Sequence, residues 1–143
     1  MKSSNSKKSV LQESAMAYGN SLGRIEIIRK GLPYSTIDEL SERMQRPIKF
    51  LLGVLGIAQT TYNLNKRQEA VLNSKESELV VAISELLSFG QEVFNNEEEK
   101  FNRWLEMPNQ SLNGITPQSL FDTLSGVAEV CKCLNRIEYG NFA

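Results

Sequence analysis

The chemistry open to this chain is limited first by what its sequence lacks, since its 143 residues include no histidine. Histidine is the commonest general base and the commonest metal ligand, so its absence removes both roles at once. Cys131 and Cys133 stand two positions apart in a helical pattern, which points their side chains about 200° apart around the helix axis. They can neither pair with each other nor bind one metal ion together. We expect Cys131 in the core and Cys133 at its margin.

The acidic residues give no catalytic pattern either. Glu97, Glu98 and Glu99 are consecutive, and on a helix they point in three directions, so they predict a helix start and not a metal site. No glycine-rich phosphate loop follows a strand pattern, and the serine and cysteine residues have no histidine to activate them. The sequence therefore predicts a protein that is not an enzyme and that uses no cofactor or metal. Binding is the chemistry that remains.

Residues 48–67 have the outline of a helix-turn-helix, with an apolar helix, a turn at Gly56 and a polar helix. In that motif the second helix lies in the major groove of DNA and its side chains meet base edges. Amide and hydroxyl groups suit base edges, whereas basic groups suit phosphates. The predicted DNA-binding residues are Gln59, Thr60, Thr61, Asn63, Lys66 and Arg67. A polar helix that merely faces solvent is the alternative interpretation.

The end of the chain, residues 135–143, gathers side chains of a different kind. Arginine and tyrosine dominate the energetics of protein interfaces, and both occur here beside a glycine. The helical period places Leu134 in the core and extends the same face to Ile137. The side chains left to face outward are Arg136, Glu138, Tyr139 and Phe142. Two arrangements stay open: this tail folds back on the last helix, or it binds a partner.

Composition and charge restrict the classes of protein. Hydrophobic residues make up 41% and charged residues 23% of the chain, which is typical of globular proteins. The net charge is -1, so contact with nucleic acid has to come from a local basic patch. No apolar run is long enough to cross a bilayer, and no apolar segment follows the first lysines as in a secretory signal. These features predict a cytoplasmic protein.

Apolar spacing and turn residues predict an all-α fold. Thr36 followed by Glu39 predicts a capped helix start, and Asn73 followed by Glu76 predicts another for a long helix. Thr116-Pro117 predicts the start of the last helix, because proline is tolerated at the first helical position. The apolar stripe predicted for that last helix is Leu120, Leu124, Val127, Cys131 and Leu134.

These elements predict three regions. Residues 1–20 form a flexible arm, either a disordered terminus or a basic contact to DNA or a partner. Residues 21–72 form a helix-turn-helix-like domain for DNA binding and dimerisation, and residues 73–143 form a small helical bundle.

An ordered series of motifs runs through the second half of the chain. The motifs are Gly90-Gln91-Glu92-Val93-Phe94, Trp104-Leu105, Pro108-Asn109, Thr116-Pro117, Leu120-Phe121-Asp122-Thr123 and Leu134-Asn135-Arg136-Ile137-Glu138-Tyr139-Gly140. In this order and spacing they resemble the Xre/MbcA/ParS-type antitoxins. Leu55-Gly56-Ile57 and Thr61 also stand where that family has its helix-turn-helix. In many members an arginine pair comes next, whereas this chain has Leu64 and Asn65, with Lys66 and Arg67 after them.

The resemblance implies a role in a type II toxin–antitoxin system. It implies a helix-turn-helix domain that dimerises and represses its own operon, and a C-terminal domain that binds a toxin, usually of the RES class, which degrades NAD. The family's C-terminal segment reaches the entrance of the toxin active site. The residues that match this segment are Arg136, Ile137, Glu138, Tyr139 and Gly140, to which Phe142 is added for its aromatic side chain alone. The alternative is a stand-alone transcriptional regulator whose C-terminal bundle serves dimerisation.

Overall fold

The computed structural model describes residues 21–140, so the predictions for residues 1–20 and for Phe142 lie outside the described residues. Within that range the chain forms seven α-helices and two short 3-10 helices, with no strand. The predicted all-α fold, with the helix-turn-helix before a C-terminal helical region, is confirmed. The elements are α1 (Ser21–Lys30), α2 (Ser35–Met44), α3 (Ile48–Leu55), α4 (Gln59–Arg67), α5 (Ser74–Val93), α6 (Glu98–Glu106) and α7 (Leu124–Glu138), with 3-10 turns at Gln110–Leu112 and Pro117–Leu120.

The chain divides into two compact units between Val81 and Ala82, within α5. The predicted boundary after residue 72 instead falls in the loop just before this helix. The first turns of α5 belong to the N-terminal unit, where Ser77 Oγ accepts a buried hydrogen bond from the backbone N–H of Leu32 at 2.9 Å. No helix in residues 21–140 combines the length and the apolar character needed to span a bilayer.

The N-terminal unit is built on the apolar face predicted for α2. Ile37 and Leu40 are fully buried there. The capping role predicted for Thr36 is wrong. The helix α2 begins at Ser35, one residue before Thr36, so Thr36 lies buried in its first turn. Its Oγ1 donates a hydrogen bond to the carbonyl oxygen of Pro33 at 2.8 Å. The hydroxyl is thus satisfied by the preceding loop and does not cap the helix.

The start of α5 is formed by the capping box that the sequence predicts. The backbone N–H of Glu76 donates to Asn73 Oδ1 at 2.7 Å, and the backbone N–H of Asn73 donates to Glu76 Oε1 at 3.0 Å. Two N–H groups that the helix cannot satisfy internally are satisfied reciprocally.

The C-terminal unit has an aromatic centre between α5 and α6. Phe101 is buried, and its ring centroid lies 5.4 Å from that of Phe94 and 6.3 Å from that of Trp104. Gly90 on α5 lies directly under the Phe101 ring, since a Cβ atom added at Gly90 would stand 2.0 Å from Phe101 Cζ. Glycine is required there because it lets the two helices approach this closely.

The predicted start of the last helix is wrong by seven residues. Pro117 opens only a short 3-10 turn, and α7 begins at Leu124. Thr123 caps α7, with its Oγ1 accepting a hydrogen bond from the backbone N–H of Gly126 at 2.9 Å. A threonine cap satisfies an N–H that would otherwise be unpaired in the first turn, so the chain has a second, stronger start signal after the proline.

This shift changes which residues of α7 are buried. Val130 and Leu134 have no exposed surface, and Cys133 packs beside them. The expected positions of the two cysteines are therefore reversed, because Cys133 is buried and Cys131 is only partly covered. Leu124, predicted to belong to the stripe, is 43% exposed at the helix start.

Candidate nucleic-acid and partner interfaces

The helix-turn-helix is formed by α3, a turn and α4. Gly56 ends α3 at φ 72°, a left-handed conformation that glycine adopts without steric cost. Ala58 then takes an extended conformation at the N-cap of α4. Only Tyr62 of α4 is buried. The six residues predicted to bind DNA, Gln59, Thr60, Thr61, Asn63, Lys66 and Arg67, are all exposed.

A cluster of three polar side chains fixes α4 to α2. The Tyr62 hydroxyl donates a hydrogen bond to Asp38 Oδ1 at 2.5 Å, and Lys66 Nζ forms an ion pair with Asp38 Oδ2. Burial and the hydrogen bond to Asp38 raise the pKa of the Tyr62 phenol. The hydrogen bonds to Asp38 and Tyr62 hold the pKa of Lys66 above its usual range. The cluster therefore contains a neutral phenol and a complete carboxylate–ammonium pair.

A second hydrogen bond supports the same face of α4. Asn65 Nδ2 donates to the Tyr34 hydroxyl at 3.0 Å, and the rings of Tyr34 and Tyr62 are 6.4 Å apart. Sequence patterns do not reveal these contacts, since the partners are 24 and 31 positions apart along the chain. Asn65 and Lys66, whose types suit DNA contacts, are thereby committed to holding the helix in place.

The opposite face of α4 remains open. It carries Thr60, Leu64 and Arg67, which follow the spacing of one helix face, and all three are exposed. At its edge, Gln59 Nε2 donates to Asn63 Oδ1 at 3.0 Å. Within residues 21–140 no carboxylate forms an ion pair with Arg67. This guanidinium is therefore available to an anion in a way that the Lys66 ammonium is not.

The two basic residues predicted to contact phosphate should consequently behave differently. Arg67→Ala is expected to lower the slope of log affinity against log salt by about 0.9, the value for one lost phosphate contact. Lys66→Ala is expected to change that slope by less than half as much, because its charge is paired with Asp38. Fluorescence anisotropy on upstream DNA between low and moderate salt measures both slopes. Lys100→Ala, outside the helix-turn-helix, serves as the control, and equal slope changes for Lys66 and Arg67 would contradict the distinction.

The segment expected to be a tail is largely helical. The helix α7 continues to Glu138, Tyr139 caps it, and Gly140 follows at φ 70°. Arg136, Glu138 and Tyr139 are exposed, as predicted, and Tyr139 is exposed over 77% of its surface. The structure thus places Arg136, Ile137 and Glu138 on the last turn of a helix, with Tyr139 and Gly140 directly after it. A helical turn holds them in a fixed arrangement.

Ile137 departs from its predicted position in the core. It continues the buried face of α7, one turn beyond Leu134, yet it is 39% exposed. Periodicity gives the correct face but not the length of the surface on which that face packs. The last turn of α7 therefore presents an apolar side chain to solvent beside Arg136 and Tyr139. Such a combination is typical of an interface centre.

The charge on Arg136 is held in place without being neutralised. Its Nη2 donates a hydrogen bond to Cys133 Sγ at 3.1 Å. Burial raises the pKa of the Cys133 thiol, so the thiol is a neutral acceptor at physiological pH. Among residues 21–140 no carboxylate forms an ion pair with Arg136. The guanidinium keeps its full charge and most of its donors for a partner.

Comparison with known proteins matches the helix-turn-helix region and the C-terminal helical region to two domain families. Residues 23–85 match the model of the antitoxin Xre-like helix-turn-helix domain, and residues 90–140 match that of the antitoxin Xre/MbcA/ParS C-terminal toxin-binding domain. Together the two matched ranges cover α3, α4 and the last turn of α7.

Three relatives carry antitoxin names. Antitoxin Xre of Photorhabdus laumondii is 25% identical over 80% of this chain and 77% of its own length. A Sphingobium protein named Prs ADP-ribosylating antitoxin is 25% identical over 90% of this chain and 86% of its own length. Antitoxin Xre of Yersinia enterocolitica is 24% identical over 83% of this chain and 80% of its own length. With both domains matched in order and relatives aligned across both, the chain belongs to the Xre/MbcA/ParS antitoxin family.

Proposed function

We propose that this protein neutralises a cognate toxin by placing the end of α7 at the entrance of the toxin's active site. The observation that carries the proposal is the exposed last turn of α7, inside the region matched by the toxin-binding domain. There the guanidinium of Arg136, which no carboxylate of residues 21–140 pairs with, the aromatic ring of Tyr139 and the apolar side chain of Ile137 are all exposed within three residues of one another. Glu138 and Gly140 complete the surface. Arginine and tyrosine are enriched among residues that dominate binding energy. The protein acts by binding alone and not as an enzyme.

The toxin we propose is one that consumes NAD, of the RES class. Two considerations support this choice. One relative is named Prs ADP-ribosylating antitoxin, and ADP-ribosyl transfer draws on NAD as its donor. A pocket for NAD receives a diphosphate, and a guanidinium placed at the mouth of the pocket can make bidentate hydrogen bonds with those phosphate oxygens or with a carboxylate of the toxin. The Arg136 side chain suits competition at the mouth of such a pocket.

We further propose that α3 and α4 bind operator DNA and repress the protein's own operon. The matched helix-turn-helix domain and the open face of α4 with Thr60 and Arg67 support this part. Symmetric operators are read by dimers, so we propose a homodimer, acting in the cytoplasm where the operon and the toxin are found. Phosphate contacts there should make the affinity strongly dependent on salt.

Removal of residues 136–143 tests the toxin proposal. The full chain and the truncated chain are each co-expressed with the product of the neighbouring reading frame, and growth and cellular NAD are followed. The full chain is expected to restore both, whereas the truncated chain is expected to restore neither. A chain carrying Thr60→Ala and Arg67→Ala is the matched control and should still rescue growth. Rescue by the truncated chain would exclude the proposed mechanism.

The same truncated chain separates the alternative function. A stand-alone regulator would bind the upstream DNA equally well before and after truncation, and no toxin would co-purify with it. An antitoxin would co-purify with a toxin only as the full chain. A pull-down with the neighbouring product and a gel shift with upstream DNA, performed on both chains, distinguish the two functions.

A further inference from the structure

Leu64 is an apolar residue on the open face of an otherwise polar helix. It is 44% exposed, with the polar residues Asn63 and Asn65 on either side of it in sequence. The buried side of α4 is already occupied by Tyr62, Asn65 and Lys66 through their contacts with α2. Leu64 therefore cannot turn inward without displacing these contacts, and α4 presents it outward.

The neighbours of Leu64 on that face indicate which kind of partner it binds. Thr60 lies one turn before it and Arg67 lies three residues after it, so the three side chains form one row. Within residues 21–140 Arg67 has no carboxylate partner, and the nearby Asp38 carboxylate is paired with Lys66. The row thus combines a free cation, a hydroxyl with a methyl group, and a branched apolar side chain. A polyanion that also exposes an apolar group is complementary to it.

Duplex DNA has one such apolar group in its major groove, the 5-methyl group of thymine. The distance along the helix from Thr60 to Leu64 is about 6 Å at 1.5 Å per residue. This corresponds to about two base steps at 3.4 Å per step along one strand. The methyl group of Thr60 and the side chain of Leu64 can therefore contact thymines about two base steps apart, while Arg67 contacts a phosphate.

We propose that Leu64 is a specificity-determining residue that, together with Thr60, recognises thymine 5-methyl groups in the operator. This inference rests on the proposed binding of operator DNA by α4. It adds the chemical group that is read and the residue that reads it. Each contacted methyl group is expected to raise the affinity for DNA about fourfold, which is the effect of burying one methylene-sized group.

Replacing thymine by uracil in the DNA tests the inference directly, because it removes the 5-methyl groups and leaves every hydrogen-bonding group in place. The upstream region is amplified with dTTP or with dUTP, and the affinities of the wild-type protein for the two duplexes are compared. Wild-type protein is expected to bind the uracil duplex at least fourfold more weakly. Leu64→Ala should bind the thymine duplex more weakly than wild type and should discriminate less between the two duplexes.

Leu124→Ala is the matched control, because Leu124 has nearly the same exposure, 43%, and lies outside the helix-turn-helix. It should discriminate between the duplexes as the wild type does. For each protein, the affinity for the thymine duplex is divided by the affinity for the uracil duplex. Comparing this quotient between wild type and Leu64→Ala removes any general effect of uracil on DNA shape, as in a double-mutant cycle. Thermal unfolding of Leu64→Ala should match that of the wild type, since the side chain is exposed.

The outcomes separate this inference from the function on which it rests. If wild-type protein binds neither duplex, the proposal of DNA binding fails and the inference fails with it. If wild-type protein binds both duplexes equally, or if Leu64→Ala retains the full discrimination, DNA binding stands and the reading of methyl groups by Leu64 is overturned. A loss of discrimination confined to Leu64→Ala supports it.

Discussion

Replacing Arg136 and Tyr139 together by alanine is expected to weaken toxin binding by about a thousandfold. Residues of these two types at the centre of an interface commonly contribute about 2 kcal/mol or more each when truncated, which corresponds to about thirtyfold each. Arg136 lies on the last turn of α7 and Tyr139 is its C-cap residue three positions later, a spacing that brings neighbouring side chains to one side of a helix. Both are exposed, and the hydrogen bond from Arg136 to Cys133 Sγ has a weak sulfur acceptor, so the thermal stability of the free protein should change little. Isothermal titration with purified toxin measures the affinity.

The matched control for this pair lies on the same helix. Glu129 and Lys132 are exposed and paired with each other at 3.0 Å, and their joint replacement by alanine should change the affinity by less than about threefold, as for a solvent-exposed ion pair. Arg136→Lys adds a finer test, because lysine keeps the charge but not the planar fork of donors. If the alanine pair binds toxin as tightly as the wild type, the end of α7 is not the toxin-binding surface.

Gly126→Ala is expected to destabilise the C-terminal unit strongly. A Cβ atom at residue 126 would lie 1.9 Å from the backbone oxygen of Leu120. Backbone cannot rotate away as a side chain can, so the first turn of α7 would have to shift and lose the hydrogen bond from Gly126 to Thr123. We expect a loss of about 3 kcal/mol in the free energy of unfolding. Urea denaturation followed by circular dichroism measures it.

Gly53→Ala provides the opposite control with the same chemical change. Gly53 lies within α3, and nothing stands within 4 Å of the Cβ atom that alanine would add. Alanine is a better helix former than glycine, so this substitution should raise the free energy of unfolding by about 1 kcal/mol. Similar effects of the two substitutions would show that the close contact at Gly126 is relieved by small movements.

The features that sequence alone predicted correctly are those decided within a few residues. The capping pair Asn73 and Glu76 and the turn at Gly56 each depend on groups one helical turn apart or closer. The buried face of α2 was also predicted correctly, from apolar residues spaced three and four positions apart. Local chemistry determines these features, so they can be inferred without knowledge of the rest of the chain.

Apart from the cap predicted at Thr36, the predictions that failed concerned the ends of elements and the contacts between them. Ile137 continues the correct face of α7, but the surface beneath that face ends sooner than the helix does. The start of α7 was predicted at Pro117 because the proline signal comes before the Thr123 cap in the sequence. The cluster of Asp38, Tyr62 and Lys66 was not foreseen at all, since its members are brought together by the packing of α2 against α4.

That cluster separates two tasks that a single short helix has to perform. The residues that hold α4 in position face α2, and the residues proposed to contact DNA face away from it. Substitutions at Thr60, Leu64 or Arg67 therefore leave the anchoring contacts intact. On the proposed mode of DNA binding, a lineage of such proteins can acquire a new operator sequence by changing Thr60, Leu64 or Arg67 alone, without passing through an unstable intermediate. Paralogous antitoxins in one cell could diverge in the DNA they recognise at almost no cost to folding.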